Sequence, residues 1–339
     1  VLVRVVGEHL DHGPGQQHRR EVGRRCHRTP AWLSPGIREP LEISDLLVDY
    51  DADTLEARPV RRDEVVGRLA QNGQRWAARY VARLPAPGGV LDRAACEGIL
   101  LRAHTELQRL SEEFLQVDRL RLLLVPLLRA LREAGERPPY RIVDVGCGLG
   151  YVVRALAAHG RLGRDVELIG CDMNPKLVGA ARALAEEEAL PCEIRLANAF
   201  RLDEPAHVYL STGVIHHFRG PALAAFFAGQ RQAHAFVHSD MAPSALSPLG
   251  SWLFHQARMR EPLARHDGVV SAQRAHGAAT LLAAARAETG FTCVAFDEAR
   301  SFASVILRPM QAVVGARPGL WPAFTAQLGP LAARLGAAS

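Results

Sequence analysis

Lysine is almost missing from this chain: Lys176 is the sole lysine among 41 Lys and Arg residues. Arginine carries nearly all the positive charge beside abundant alanine, glycine and proline, a bias that a GC-rich coding sequence produces without any selection for phosphate binding. Aromatic residues are also few, at 6%, and they do not interleave with basic ones, so the stacking platform of a nucleic-acid binder is lacking. No apolar run approaches the roughly 20 residues that span a bilayer, and a soluble, cytoplasmic protein without a membrane partner is expected. The six cysteines form no C-x-x-C and no Cys/His ligand spacing. Free thiols in a reducing compartment are therefore expected, and no metal.

What remains is ordinary globular material, 48% hydrophobic and 23% charged over 339 residues, enough for one large or two ordinary domains. The formal net charge of +5 is concentrated at the start, where residues 1–40 hold seven arginines against four acids. Residues 1–38 mix Gly, Pro, Gln, Arg and His without an apolar period. They read as a disordered basic tail, of the kind an over-extended gene start would add. Residues 39–138 read as a helical cap: Val65, Val66, Leu69, Trp76, Tyr80 and Val81 recur at helical spacing, and Asp92 is a candidate N-cap. A leucine run from Leu120 to Leu131 is expected to be kinked or divided at Pro126 and to end at Gly135.

After Pro138 and Pro139 the texture alternates between strand and helix, the pattern of an α/β, Rossmann-like, doubly wound sheet. Strands are expected near 141–145, 166–171, 192–197, 206–211, 234–239, 291–297 and 310–316. Helices are expected near 149–159, 175–188, 220–231 and 277–287, with a C-terminal helix in 318–339. The segment RIVDVGCGLGYVVRALA (141–157) runs from a β-branched strand through a glycine turn into an amphipathic helix. Gly146, Gly148 and Gly150 free the backbone for close approach of a polar ligand at a helix start. The spacing is not the G-x-G-x-x-G of dinucleotide sites, because Asp144 precedes glycines placed at every second residue.

That Asp144-x-Gly146-x-Gly148-x-Gly150 pattern resembles the first motif of class I S-adenosylmethionine-dependent methyltransferases. The resemblance extends to later strand ends. Asp172 closes the second strand, where a carboxylate suits ribose hydroxyls, and Met173 follows where the family commonly packs the adenine. Asn198-Ala199 stands where the family often has an acid and a small residue. Thr212-Gly213-Val214-Ile215-His216-His217 looks like the corresponding segment of ubiquinone- and polyketide-type enzymes. The resemblance implies a seven-stranded sheet with its last strand antiparallel and S-adenosylmethionine as cofactor. It further implies a small-molecule acceptor, such as an oxygen of a phenolic or polyketide-like metabolite. Alternatives are C-methylation of an isoprenoid or quinone-like substrate, and a catalytically silent cofactor-binding protein.

A hydroxyl acceptor benefits from a base, and His216 and His217 are the first candidates. The insertion 241–276 is longer than an ordinary connection and is expected to shape the substrate pocket. Within it His266-Asp267-Gly268 reads as a turn that could present His266 as a further base.

Overall fold

A computed structural model describes residues 39–202, 205–297 and 310–336. The expected disordered tail, 1–38, lies outside the described residues, as do residues 337–339 at the end of the expected C-terminal helix.

The described chain opens with a short helix, α1 (Ser44–Leu47), and a small hairpin of β1 (Asp49–Tyr50) and β2 (Ala57–Arg58) that the sequence pattern did not announce. Helices α2 (Arg62–Gln71), α3 (Arg75–Ala82), α4 (Arg93–Glu113) and α5 (Gln116–Glu133) follow. Asp92 caps α4, its carboxylate accepting from Ala95 N–H at 2.7 Å. The run is not divided at Pro126. Pro126 sits inside a continuous α5, and the chain divides instead at Leu115, which takes a left-handed φ of 51°. The proline removes one N–H from the ladder, and the buried leucines on both sides of it hold the helix in place against the sheet.

The sheet is built from β3 (Tyr140–Val145), β4 (Val166–Asp172), β5 (Glu193–Leu196), β6 (Val208–Thr212), β7 (Ala235–Met241), β8 (Thr292–Asp297), β9 (Met310–Ala316) and β10 (Leu335–Gly336). Its order is β10-β8-β9-β7-β6-β3-β4-β5, with β9 antiparallel to both neighbours. Among the described residues the sheet thus has eight strands, where seven are expected. The extra one is a two-residue pairing of Leu335 and Gly336 with Phe296 and Ala295, too short to carry a period. The expected terminal helix 318–339 shortens to α12 (Trp321–Leu328), because Gly329 and Pro330 stop it and a 3-10 turn leads to β10.

Crossover helices α6 (Tyr151–His159), α7 (Pro175–Glu187), α8 (Pro221–Ala228) and α11 (Ala278–Thr289) cover the sheet, and the 241–276 insertion folds as α9 (Ser247–Arg258) and α10 (Pro262–Arg274). Three large apolar clusters among the described residues divide the work, beside a small fourth of Met241, Ala272 and Met310. One joins α5, α6 and α12 to one sheet face, and another packs α8 and α11 on the opposite face. A third unites α1 to α4 with Met259, Leu263 and Ala264. Hence α5 belongs with the sheet rather than with the cap assigned to 39–138, and the insertion completes the cap. No helix among the described residues is long and apolar enough to cross a membrane.

Inside the sheet, His238 is 1% exposed. Its Nε2–H donates to Gln230 Oε1 (2.7 Å) and its Nδ1 accepts from Ser211 Oγ (2.9 Å). Burial pushes its pKa down to about 3. The unfolded ring binds a proton near pH 6.5 and the folded one does not, so its stabilisation is complete above that pH and is lost as pH falls toward 3. The urea midpoint of unfolding should decline between pH 7 and pH 4, and His238→Gln should shrink that decline.

Candidate active site

Between β3 and α6 the chain turns on glycines. Gly146 (φ 72°) and Gly148 (φ 56°) hold left-handed backbone, a region that side chains make costly. A Cβ on Gly146 would lie 2.7 Å from Val214 Cγ2, and one on Gly148 would lie 2.9 Å from His104 Cδ2. Gly146 and Cys147 both donate to the Cys171 carbonyl (2.7 and 2.9 Å), which stitches the turn to β4. At the tip of β4, Asp172 accepts from Gly148 N–H and from Asn174 N–H, each at 2.9 Å. Its carboxylate is thereby oriented and still has lone pairs to offer.

Of the residues expected to hold a cofactor, Gly146, Gly148, Asp172, Met173, Asn198, Ala199 and Thr212 line one cavity of about 280 Å³. Asp144 and Gly150 stand behind the turn. Asp144 is 1% exposed, and neither carboxyl oxygen has a hydrogen-bond partner among the described residues. Burial, with Asp172 nearby, pushes its pKa well above the usual carboxylate range. Asn198 also makes contacts away from the cavity. Its amide donates to the Ala52 carbonyl (2.9 Å) and its Oδ1 accepts from Phe200 N–H (3.0 Å), so it ties the sheet to the cap hairpin.

A 3-10 turn over Ile215–His217 brings both strand-end histidines to the same cavity. His216 Nδ1 faces Asp240 Oδ1 at 2.8 Å, which selects the Nδ1–H tautomer and leaves the Nε2 lone pair on the side of Glu42 Oε1, 3.6 Å away. Burial opposes charge on this ring, and the carboxylates of Asp240 and Glu42 outweigh it, so its pKa is raised. Burial would likewise raise Asp240, but His216 and the N–H groups of Met241 and His216 hold it down at about 2. His217 Nδ1 lies 3.0 Å from Asp45 Oδ1 and 3.5 Å from Glu42 Oε2.

Glu42 and Asp45 went unnoticed in the sequence, although acids three residues apart among Ile43, Leu46 and Leu47 are a signal of buried charge. Glu42 is 2% exposed, and burial raises its pKa against the pull of His217 and His216. Asp45 is buried too, and His217 and the Arg274 guanidinium face it. Arg274 Nη1 donates to Asp45 Oδ2 at 2.9 Å, and its Nη2 donates to the His217 carbonyl at 2.9 Å. His104 also comes to the cavity from α4, its Nδ1–H on the Leu100 carbonyl (2.8 Å).

His266 is not brought there. Residues 266–268 lie within α10 rather than in a turn, and adjacent helical residues point about 100° apart. Asp267 therefore faces inward, where its oxygens accept from Ile43 N–H (2.9 Å) and Ser44 N–H (2.8 Å). His266 faces the cap helices, stacked on Trp76 at 5.5 Å.

Residues 142–234 match the family model of a methyltransferase domain. A curated relative, cyclopropane mycolic acid synthase MmaA2 of Mycobacterium bovis, is 27% identical over 140 residues, 41% of this chain and 44% of that protein. The chain thus spans less than half the length of this relative. Among solved structures, magnesium protoporphyrin IX methyltransferase from Synechocystis PCC 6803 with bound S-adenosylmethionine aligns with a TM-score of 0.40 at 16% identity. That alignment covers 60% of this chain and 79% of the other. The plantazolicin methyltransferase BamL aligns with a TM-score of 0.45 at 14% identity, covering 65% and 96%.

Removing one partner of a buried ion pair strands the other. Arg274→Met should therefore destabilise the fold by about 3–5 kcal/mol in urea unfolding. The double variant Asp45→Asn/Arg274→Met should lose distinctly less.

Proposed function

We propose that this chain, which carries a class I S-adenosylmethionine-dependent methyltransferase domain, transfers a methyl group to an oxygen of a small organic acceptor. The observation that carries this reading is that the glycine turn with Asp172 and the wall of Glu42, His216 and His217 line one cavity. The cofactor supplies, when bound, an electrophilic methyl carbon on a sulfonium sulfur.

The residues present fit such a ligand. The turn exposes main chain where side chains are excluded, and Asp172 keeps acceptor capacity for a vicinal diol after its two backbone contacts. Asp144 leaves a buried carboxyl without a donor directly behind the turn. Met173 packs against the cap cluster beside the cavity, where it can hold an aromatic base.

Methyl transfer is an in-line displacement, so most of the protein's contribution is positioning, with reacting atoms held about 3–3.5 Å apart. Leu100, Ala103 and Leu107 of α4 and Leu263 and Ala264 of α10 close the cavity with apolar surface and keep water from competing for the methyl group. The wall of Glu42, His216 and His217 is rich in proton acceptors, which suits an acceptor that must shed a proton. An oxygen acceptor is the simplest occupant of such a wall, because an O–H can hydrogen-bond to it and pass its proton directly.

Calorimetric titration with S-adenosylmethionine should show one site, weakened about tenfold or more in Asp172→Ala, as loss of a charged acceptor implies. No heat at millimolar cofactor would refute the reading. With labelled cofactor and metabolite fractions sorted by polarity, His216→Ala should lower transfer by roughly a hundredfold, while His266→Ala should leave it unchanged.

A further inference from the structure

We propose that Glu42, His216 and His217 bind one divalent transition-metal ion on the cavity wall. One donor atom from each lies within 4.8 Å of the others. His216 Nε2 stands 3.6 Å from Glu42 Oε1, and His217 Nδ1 stands 3.5 Å from Glu42 Oε2. Donors about 2.0–2.2 Å from a common ion lie roughly 3.0–3.5 Å from one another, so the two contacts to Glu42 are already close to that spacing, and the cluster as a whole, with its donors within 4.8 Å, closes further when an ion draws them in.

The surroundings have the organisation that metal ligands require. A ligating imidazole is normally oriented by a carboxylate on its other nitrogen, and Asp240 does this for His216 at 2.8 Å. Glu42 Oε1 accepts from Ser271 Oγ at 3.0 Å, which fixes that carboxylate. Asp45 lies 3.0 Å from His217 Nδ1 and is backed by Arg274, so it is within reach as a fourth donor.

Charge points the same way. Glu42, Asp45, Asp240 and Asp267 are all buried, and the buried guanidinium at this cluster belongs to Arg274, whose Nη1 is 3.9 Å from Glu42 Oε1. The imidazoles of His216 and His217 face these acids as well, and a dication would take over the offsetting of their charge as those rings turn lone pairs to it. Two imidazoles and a carboxylate select a first-row transition ion rather than Mg²⁺ or Ca²⁺.

A second cluster, Glu136, His207 and His234, lies at the opposite ends of the strands. His207 Nδ1 there accepts from Arg141 N–H at 3.0 Å, which places the ring proton on Nε2. That ring is less suited to ligation, and the cluster serves as a control.

Glu42 comes from the cap and the histidines from the end of β6, so an ion would join cap to sheet. Resting on the methyl-transfer reading, the ion would take up the lone pairs of this wall and act in place of a free base: its positive charge would favour the deprotonated form of a hydroxyl acceptor, the proton being released as the acceptor enters the cavity.

The test is titration of chelator-treated, full-length protein with Co²⁺, followed by visible absorption and calorimetry. One equivalent should bind, with affinity at least tenfold lower in the near-isosteric Glu42→Gln and in His217→Ala, and unchanged in His234→Ala. Absence of binding, binding indifferent to Glu42→Gln and His217→Ala, or binding lost in His234→Ala would overturn the site. The same metal-free sample is titrated separately with S-adenosylmethionine. Cofactor binding without Co²⁺ binding removes the metal site alone, and Co²⁺ binding without cofactor binding removes the methyl-transfer reading alone.

Discussion

A carboxylate taken out of water must find positive charge or hydrogen-bond donors, and this requirement holds the cap on the sheet. Asp267 of α10 accepts the N–H groups of Ile43 and Ser44 at the start of α1. Asp45 of α1 is clamped by Arg274 of α10 and faces His217 beyond β6. Asp240, at the end of β7, orients His216. Apart from the Asp240–His216 pair, these contacts join residues more than 150 positions apart in the chain, and each would be costly to leave half made. The apolar cluster shared by α1 to α4 and α10 supplies bulk attraction, whereas the polar contacts fix position. The cavity exists because this docking leaves space between the cap and the ends of the strands.

The sheet determines what that space can receive. Ligands of open α/β sheets bind beyond the carboxyl ends of the strands. The glycine turn after β3, Asp172 after β4, Asn198 after β5 and the two histidines after β6 all stand at such ends. The turn brings main chain to the cavity with no side chain in the way, while the wall around Glu42 brings buried acceptors. One region suits a nucleoside-bearing cofactor and the other a group that loses a proton. Their meeting in one cavity is what turns a common fold into a candidate transferase.

Local patterns made much of this legible. The buried parallel strands are short apolar runs bounded by turns, so β3 to β9 fall within about two residues of their expected limits. The glycine spacing and Asp172 lie close together in sequence and marked the turn correctly. The departures have identifiable causes. Pro126 stays within α5 because tertiary burial of the leucine stripe outweighs one lost backbone hydrogen bond. His266 stays in contact with Asp267, its Nδ1 2.7 Å from Oδ1, but its ring lies on Trp76 of the cap rather than in the cavity, and a sequence that looks like a turn does not show this. Glu42 meets His216 across 174 positions, a distance over which spacing carries no information. The role of Asn198 was likewise hidden, since its partner Ala52 belongs to a two-stranded hairpin too short to announce itself.

The central claim is that one cavity, between the glycine turn and the docked cap, receives the cofactor. Amide hydrogen exchange with and without saturating S-adenosylmethionine tests it most directly. The account predicts slowed exchange at residues 146–148, 172–174 and 199, at the turn over 213–217, and across residues 42–47 of the cap, with little change in α12. Unchanged exchange at the glycine turn and Asp172, or protection confined to other surfaces, would contradict it.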